Sequence, residues 1–188
     1  MNKEQDLLGI VEGNSWFMEV LRVVQSLDLA NWCVGAGVIR NIVWDYLHSY
    51  AIPSPLADVD VAFFDAADLS RDTDHLLQKR LAHARPDVPW EVTNQASVHL
   101  WFEEHFGHHV QPLRSLYEAV SSWPETATSV AVRLTRNNKI EILAPLGLDD
   151  LFGMIVRRNP SRVSQVTYLS RIAEKRYLER WPMVRIIQ

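Results

Sequence analysis

The sequence holds very little cysteine and lacks any long apolar run. Its one cysteine, Cys33, lies in an apolar stretch, so the chain cannot close an internal disulfide and the thiol is expected to be buried and inert. No apolar stretch approaches the roughly 20 residues that a membrane-spanning helix requires. The segment 1–6 is polar and carries acids, unlike a secretory or transit peptide. These absences predict a cytoplasmic protein that has no membrane partner.

The remaining composition is that of an ordinary globular protein. The 188 residues are 47% hydrophobic and 22% charged, which is enough to bury a core. Neither an internal repeat nor a low-complexity linker divides the chain. We therefore expect one domain over residues 1–188, with residues 147–182 as its helical C-terminal part.

The charge is distributed unevenly along the chain. The net charge is −4, but residues 151–188 contain eight Arg or Lys and two acids, which leaves +6 there and −10 on the rest. A basic helical end beside an acidic body could contact phosphates, or it could be a solvated face that offsets the negative field. The sequence leaves both interpretations open.

Hydrophobic periodicity and turn residues predict alternating helices and strands. Asn14 is a suitable N-cap for the first predicted helix, and Asn137-Asn138 suits the turn of a hairpin. The predicted helices cover residues 14–27, 38–50, 74–84, 98–106, 116–123, 147–157 and 164–180. The predicted strands cover residues 32–34, 58–64, 90–93, 129–135 and 139–143. This order predicts an α+β fold in which α-helices flank a mixed β-sheet.

Two acids on one predicted strand are the clearest candidates for chemistry. Asp58 and Asp60 are separated by one apolar residue, so both side chains project from the same face of the strand. Neighbouring carboxylates repel each other, and a divalent cation relieves that repulsion. Mg²⁺ prefers carboxylate oxygens together with water and phosphate, so we predict that this pair binds Mg²⁺.

A glycine-containing turn lies upstream of the acidic pair. The segment Gly35-Ala36-Gly37 joins a short predicted strand to a helix, where glycines let backbone N–H groups approach a phosphate at the positive helix end. Arg40, one turn into that helix, could add a guanidinium contact. We therefore predict that Gly35, Gly37 and Arg40 bind the phosphates of a nucleotide.

Two other interpretations fit parts of the pattern. The glycine turn resembles a dinucleotide-binding fingerprint with its third glycine replaced, but that interpretation leaves Asp60 without a role. Four histidines between residues 99 and 109 suggest zinc, but they lack the ligand pattern of a zinc site. Neither interpretation is favoured.

A glycine turn followed by an Asp-x-Asp strand resembles the signature of the polymerase-β-type nucleotidyltransferase superfamily. Over residues 14–182 the chain is similar to a bacterial nucleotidyltransferase-like family of uncharacterised function. The similarity is carried by the blocks 35–48, 58–65, 94–101, 123–128, 144–152 and 158–160. The resemblance implies a nucleotidyltransferase-like fold, with a mixed sheet, flanking helices and a helical C-terminus.

The resemblance also implies a reaction and a set of metal ligands. Two Mg²⁺ ions would bind with a nucleoside triphosphate, held by Asp58, Asp60 and a third carboxylate from a later strand. Glu91, which lies between two apolar residues, is the preferred third ligand, although Asp65 and Asp68 are nearer in sequence. The protein would then transfer a nucleoside monophosphate from the triphosphate to an acceptor.

Polar residues continue beyond the third predicted strand. Asn94 and His99 could contact the base or ribose of the nucleotide, with Gln95 beside them and Trp101 placed to stack. Alternatively, Asn94 caps the following helix and His99 makes a core contact. The sequence leaves both roles open.

Taken with the resemblance, these residues predict an Mg²⁺-dependent nucleotidyltransferase that acts on a small-molecule or protein acceptor. RNA is a less favoured acceptor, because 188 residues leave little room for a large RNA-binding domain. The alternative is a catalytically inactive nucleotide-binding or interaction module on the same fold. A Glu91 side chain that points away from the aspartates would favour that alternative.

Overall fold

Helices and strands alternate along most of the chain. The computed structural model describes residues 2–187, so Met1 and Gln188 of the predicted domain lie outside the described residues. The helices of the described residues are α1 (Lys3–Gly13), α2 (Ser15–Gln25), α3 (Gly37–Leu47), α4 (Arg71–Ala84), α5 (His99–Phe106), α6 (Leu116–Ser121), α7 (Asp149–Phe152), α8 (Gln165–Lys175) and α9 (Tyr177–Arg180). The strands of the same residues are β1 (Trp32–Gly35), β2 (Val59–Phe63), β3 (Trp90–Asn94), β4 (Ala131–Leu134), β5 (Ile140–Leu143), β6 (Ile155–Arg157) and β7 (Arg185–Ile187).

Five of these strands form one mixed sheet in the order β3-β2-β1-β4-β5. Strands β2 and β3 are parallel, whereas the other neighbouring pairs in this sheet are antiparallel. The predicted α+β architecture, with helices around a mixed sheet, is therefore confirmed. The strand register places Gly35 opposite Asp60, and Asp60 opposite Glu91.

Helix α2 forms where the sequence predicts a helix. The Asn14 Oδ1 atom accepts a hydrogen bond of 3.0 Å from the backbone N–H of Phe17, which satisfies one free donor of the first turn. The apolar side chains at helical spacing are all buried, namely Phe17, Val20, Leu21 and Val24. Burial of each such side chain contributes about 1.5 to 3 kcal/mol, so this face fixes α2 on the core.

The structure adds helix α1, which hydrophobic periodicity does not predict. Asn2 caps it by accepting a hydrogen bond of 3.2 Å from the backbone N–H of Glu4. The buried residues of this helix are Leu7 and Val11, at i and i+4 spacing. Four apolar residues clustered within residues 7–11, in a helix that is otherwise polar and contains two glycines, give a weak sequence signal, and packing against α2 and α3 stabilises the helix instead.

The C-terminal part departs most from the predicted elements. In place of a helix over residues 147–157, α7 ends after 4 residues. Met154 then adopts a φ of 52°, and strand β6 begins. The predicted helix over residues 164–180 is interrupted at Arg176, whose φ of 48° separates α8 from α9. Left-handed residues of this kind are not visible in helical periodicity, so the predicted helix bounds are wrong here.

Strands β6 and β7 form a separate parallel pair that the sequence also does not predict. The Tyr168 hydroxyl of α8 lies 3.0 Å from the carbonyl oxygen of Val156 and 2.7 Å from that of Ile187. It therefore donates to the backbone of this pair. Helix α8 is fixed to strands β6 and β7 by this contact.

Two tryptophans join the C-terminal part to α3. Trp44 Nε1 donates to the carbonyl oxygen of Leu151 at 2.8 Å, and Trp181 Nε1 donates to Asp45 Oδ1 at 2.7 Å. The two indole rings pack edge to face with centroids 5.2 Å apart. Both rings are buried while their N–H groups keep partners, as a stable buried tryptophan requires. These contacts hold the C-terminal helices next to α3.

Cys33 lies in β1 and is fully buried. Burial raises the pKa of its thiol well above the ordinary value, so the group is a poor nucleophile. Among residues 2–187, every helix is too short or too polar to cross a lipid bilayer.

Candidate active site

A polar cleft of about 260 Å³ opens where β1 leads into α3. Its walls come from the β1–α3 turn, strands β2 and β3, the segment 123–128, and helix α8. The residues that line it are Ala36, Gly37, Arg40, Asp58, Asp60, Val61, Ala62, Glu91, Thr93, Gln95, Trp123, Pro124, Thr128, Arg171 and Lys175. Parts of the chain that are distant in sequence therefore meet in one cleft.

The three acids of the predicted metal site all line this cleft. Asp58 lies immediately before β2, Asp60 lies within it, and Glu91 lies in β3. Asp58 and Asp60 are two positions apart in extended chain and so share a face. Asp60 and Glu91 are direct partners in the parallel ladder. The strand pairing therefore brings all three carboxyl groups to one wall of the cleft.

These acids affect one another's ionisation. Burial raises the pKa of Asp60 to about 7, and the negative charges of Asp58 and Glu91 contribute to this increase. Partial desolvation of its carboxyl group, together with the charge of Asp58, also raises the pKa of Glu91. Three carboxyl groups at one wall therefore favour the uptake of a proton or a cation.

The donor set suits a hard divalent ion. Carboxylate oxygens supplemented by water and phosphate are the ligands that Mg²⁺ prefers. Within residues 2–187, no group of three His, Cys, Asp or Glu side chains is arranged as a complete metal site by itself. Burial raises the pKa of Asp60 most, and the charges of Asp58 and Glu91 raise it further; a cation would relieve that repulsion. The residues therefore fit a divalent cation that arrives with a phosphate.

Helix α8 supplies positive charge to the cleft. Arg171 and Lys175 are one helical turn apart, and both line the cleft. Burial raises the pKa of Asp60, and the positive charges of Lys175 and Arg171 partly offset this increase. Burial also raises the pKa of Glu91, and the charge of Lys175 partly offsets that increase. Sequence reasoning did not assign either cation to the site. The signal that could have found them is their i, i+4 spacing within the basic segment 151–188.

The turn between β1 and α3 presents backbone donors to the cleft. In the described part of the chain, no side chain caps α3, so the N–H groups of its first turn can bind an anion at the positive helix end. The residue before the helix is Ala36, with φ of 55° and ψ of −119°. That conformation favours glycine. The unusual backbone of the turn thus falls on Ala36, and not on the flanking glycines.

The two glycines of the turn differ in position. A Cβ atom on Gly35 would lie 2.6 Å from the Cβ atom of Ala131 and 2.6 Å from the carbonyl oxygen of Val130. Gly35 therefore lets β1 approach β4, and it does not line the cleft. Gly37 does line it, and a Cβ atom there would lie 3.8 Å from Asp58 Oδ1. Asp58 is thus next to the turn.

Arg40 lines the cleft but is only 5% exposed. Its Nε and Nη2 atoms donate to Asn41 Oδ1 at 3.2 and 2.6 Å. Its guanidinium carbon lies 5.3 to 5.8 Å from the centroids of three aromatic rings, those of Trp44, Tyr177 and Trp181. Cation–π contacts of this kind stabilise a buried guanidinium. Arg40 therefore connects α3 to the C-terminal helices in addition to placing a positive charge at the cleft.

Asn94 and His99 do not line the cleft. Asn94 is buried, and its Oδ1 atom accepts hydrogen bonds from the backbone N–H groups of Asp65 and Ala96. Its Nδ2 atom donates to the carbonyl oxygens of Asp65 and Asp68. The side chain thus holds local backbone and caps the short 3-10 turn that follows β3, which agrees with the alternative capping role. His99 begins α5 after that turn.

Three uncharged side chains that can form hydrogen bonds do line the cleft, namely Thr93, Gln95 and Thr128. Thr93 follows Glu91 by two positions on β3, so strand alternation could have identified it from the sequence. Thr128 ends a short 3-10 turn whose approach to the cleft depends on tertiary packing. No sequence signal would have placed Thr128 there.

The chain resembles known proteins in sequence and in fold. Its sequence matches the nucleotidyltransferase family over residues 22–186. No curated protein matches the sequence significantly. An NMR structure described as revealing a CCA-adding enzyme head domain superimposes with a TM-score of 0.82 at 28% identity, covering 98% of this chain and 95% of that chain.

Two structures of larger enzymes share the fold. A tRNA-processing enzyme in apo form I superimposes with a TM-score of 0.53 at 18% identity, covering 91% of this chain and 42% of that chain. Complex 3 of a tRNA-processing enzyme gives a TM-score of 0.51 at 17% identity, with coverages of 90% and 43%. This chain therefore spans less than half of the length of those enzymes. At such identities the likeness concerns the fold alone.

Proposed function

Because the chain belongs to the nucleotidyltransferase family, we propose that it transfers a nucleoside monophosphate from a nucleoside triphosphate to a small-molecule or protein acceptor, with Mg²⁺ as cofactor. The observation that carries the proposal is a single cleft that contains both an acidic wall and a cationic helix. Carboxylates for divalent ions and cations for phosphates are the two requirements of a metal–triphosphate site.

We assign Asp58, Asp60 and Glu91 as the ligands of the divalent ions, and we expect two ions when a triphosphate is bound. When bound, these ions supply positive charge that lowers the pKa of the acceptor hydroxyl and neutralises the leaving pyrophosphate. The mutual repulsion of the three acids supports this assignment, since it weakens when a cation binds.

The protein's own groups hold the reactants in line. The acceptor oxygen forms a bond to the α-phosphorus while the bond from that phosphorus to the bridging β-phosphate oxygen breaks. Pyrophosphate leaves with the electron pair, and the acceptor proton passes to solvent. Backbone N–H groups at the start of α3, with Arg171 and Lys175, bind phosphate oxygens and restrict their motion. Gln95, which lines the cleft, takes the base- or ribose-binding role expected for Asn94 and His99.

The basic C-terminal segment supports a small-molecule or protein acceptor over RNA. Three of its eight cations pair with carboxylates of the protein, namely Arg157, Arg171 and Arg176. Pairing of this kind offsets part of the positive charge that the segment offers to a nucleic-acid backbone, whose binding depends on neutralising phosphates. Steep salt dependence of binding to RNA would indicate an RNA acceptor instead.

Thermal unfolding with MgCl₂ and each of the four ribonucleoside triphosphates tests the proposal. We expect one triphosphate to raise the Tm of the wild-type protein only when Mg²⁺ is present. The D58N and D60N variants should lose this ligand-induced increase, because each removes one carboxylate ligand. The D149N variant is the matched control, since the Asp149 side chain is 89% exposed. An increase that persists in D58N and D60N would overturn the assignment of the acids.

A second candidate function is nucleotide binding without catalysis. It is favoured by the exposed position of Glu91 and by the incomplete arrangement of metal ligands among residues 2–187. Pyrophosphate release, measured with the triphosphate that binds and a panel of small-molecule and protein acceptors, separates the two functions. Release that depends on Asp60 supports transfer, whereas binding without release under all conditions supports the inactive module.

A further inference from the structure

A buried acid beside the cleft has no part in the proposed metal site. Glu125 is 1% exposed and belongs to the segment 123–128. Its neighbours Trp123, Pro124 and Thr128 line the cleft. A buried carboxylate is unfavourable unless it is paired with a cation and hydrogen-bonded. The partners of Glu125 therefore indicate what this acid does.

The carboxylate of Glu125 is held in one orientation. Its Oε1 atom accepts a hydrogen bond of 2.9 Å from Arg171 Nε, and its Oε2 atom accepts one of 3.1 Å from Thr128 Oγ1. The Glu125 carbonyl oxygen accepts hydrogen bonds from the backbone N–H groups of Thr128 and Ser129 at 3.1 and 3.0 Å. An isolated antiparallel bridge to Arg158 fixes the backbone further. Glu125 is thus a rigid acceptor for Arg171.

The bond to Glu125 uses only one edge of the Arg171 guanidinium. The Arg171 side chain is 31% exposed and lines the cleft. In the described part of the chain, its Nη1 and Nη2 atoms donate to no protein acceptor. The guanidinium is a planar, rigid fork, so fixing Nε also fixes the direction of both terminal nitrogens. Two donors with a set direction are thereby presented from the cleft wall.

Such a pair of donors matches the oxygens of a phosphate group. Guanidinium–phosphate pairs are commonly bidentate, with two parallel N–H···O bonds. In nucleotidyl transfer, negative charge builds up on the leaving pyrophosphate, where a fixed cation is most effective. Lys175, one turn further along α8, adds a second charge to the same wall.

We propose that Glu125 is a positioning residue that holds Arg171 by Nε and directs its two terminal nitrogens at the β- and γ-phosphates of the nucleoside triphosphate. This inference rests on the proposed function, because it names the groups that receive the leaving pyrophosphate. It assigns a role to the segment 123–128 that the metal site and the α3 turn do not account for. A purely structural ion pair would instead affect the binding of every nucleotide equally.

Calorimetric titration with Mg²⁺ and two probes tests the inference. The probes are the ribonucleoside triphosphate that binds the wild-type protein and the corresponding monophosphate. We expect R171A to weaken triphosphate binding by roughly 10- to 100-fold, because charge-assisted hydrogen bonds are lost. E125Q should weaken it by about tenfold, since an amide holds the guanidinium less firmly. Monophosphate binding should change by less than about threefold in both variants, because a monophosphate lacks the β- and γ-phosphates that Arg171 is proposed to contact.

The double variant separates positioning from a merely additive effect. Glu125 acts through Arg171, so E125Q should not weaken triphosphate binding further once Arg171 is replaced by Ala. R171K keeps a positive charge without the fork, and it should lose most of the preference for triphosphate over monophosphate. E141Q is the matched control. Glu141 also pairs with an arginine, Arg133, over a distance of 2.9 Å, but neither residue lines the cleft. It should bind both nucleotides as the wild type does.

Urea unfolding measured on each variant identifies those that are folded at the titration temperature. If E125Q does not fold, the selective loss of triphosphate binding in R171A and R171K decides the outcome. Equal losses for both nucleotides, or fully additive losses in the double variant, overturn the inference. Triphosphate binding that is unchanged in R171A overturns this inference alone. A wild-type protein that binds no triphosphate overturns the proposed function as well.

Discussion

Asp60 on β2 lies directly opposite Glu91 on the parallel neighbour β3. Direct partners in neighbouring strands project from the same face of the sheet, so their carboxyl groups share one wall of the cleft. Burial and repulsion raise the pKa of Asp60 to about 7. The fold therefore loses stability when Asp60 ionises without a cation nearby, and this cost is open to measurement.

Replacement of Asp60 by Asn should stabilise the unliganded protein at alkaline pH. The pKa of Asp60 is about 7 in the folded state against an ordinary value of 3.8. Below pH 3.8 Asp60 is protonated in both the folded and the unfolded protein, so it does not lower the stability of the fold. Between the two pKa values the folded state keeps a proton that the unfolded state has lost, so the stability of the wild type falls as pH rises from 3.8 to about 7 and is lowest above that. We expect D60N to raise Tm by about 5 °C near pH 8 and by less near pH 5, measured in EDTA.

The control for this prediction is D149N, which removes an exposed carboxylate. It should change Tm by little and equally at both pH values, because surface ion pairs contribute about 0 to 1 kcal/mol. A D60N protein that is less stable than the wild type at alkaline pH would contradict the assigned electrostatic cost.

Replacement of Gly35 by Ala should destabilise the protein through a clash between strands. The added Cβ atom would lie 2.6 Å from both Ala131 Cβ and the Val130 carbonyl oxygen, so the β1–β4 backbone must shift. Overpacking of this kind costs about 1 to 3 kcal/mol. Urea unfolding measures the loss, and the folded fraction should still bind triphosphate because Gly35 does not line the cleft.

Gly9 provides the matched glycine control. It lies in α1 with nothing within 4 Å of an added Cβ atom. Alanine is favoured over glycine inside a helix by about 1 kcal/mol, so G9A should increase the free energy of unfolding. If G35A and G9A changed stability in the same direction, the close approach of β1 to β4 would not be the reason for glycine at position 35.

Replacement of Ala36 by Gly should relieve backbone strain at the cleft. Ala36 has φ of 55° and ψ of −119°, where a Cβ atom is unfavourable by about 1 to 3 kcal/mol. Glycine loses about 0.5 to 1 kcal/mol more entropy on folding, so a net stabilisation of about 1 kcal/mol remains. Equilibrium urea unfolding checks this value. Destabilisation in A36G would show that the turn is not strained.

The thiol of Cys33 should be unreactive in the native protein. Cys33 is fully buried, and burial raises the pKa of its thiol, so thiolate is scarce even at mildly alkaline pH. At about pH 8, a disulfide reagent such as DTNB should modify it only after guanidinium chloride unfolds the chain. Rapid modification of the native protein would show that β1 opens readily.

The sequence predicts those features of the site that depend on local spacing. Two acids two residues apart on a strand share a face wherever that strand lies, and a strand-to-helix turn identifies the β1–α3 junction. Glu91 joins them because β3 pairs with β2 in register, which a sequence pattern does not reveal. The identity of the acids was predictable, whereas their proximity depends on strand order.

Features that depend on distant packing were not predictable. Arg171 and Lys175 reach the cleft because the ion pair between Arg171 and Glu125 joins α8 to the segment 123–128, which is distant in sequence. Strands β6 and β7 have 3 residues each, too few for alternation to show. The left-handed backbone of Met154 and Arg176 interrupts helices that the periodicity of their neighbours favours, and periodicity carries no signal for it.

The joining of β6 to β7 at the far end of the chain has a consequence for biosynthesis. Residues 58–91 provide the acids, but α8, which carries the cations, is anchored by the Tyr168 hydroxyl to the β6–β7 ladder at Val156 and Ile187. A growing polypeptide that stops before β7 would keep the acids of the cleft but lack the carbonyl oxygen of Ile187, to which Tyr168 of α8 donates. The cationic wall therefore takes its final position only after β7 has docked against β6.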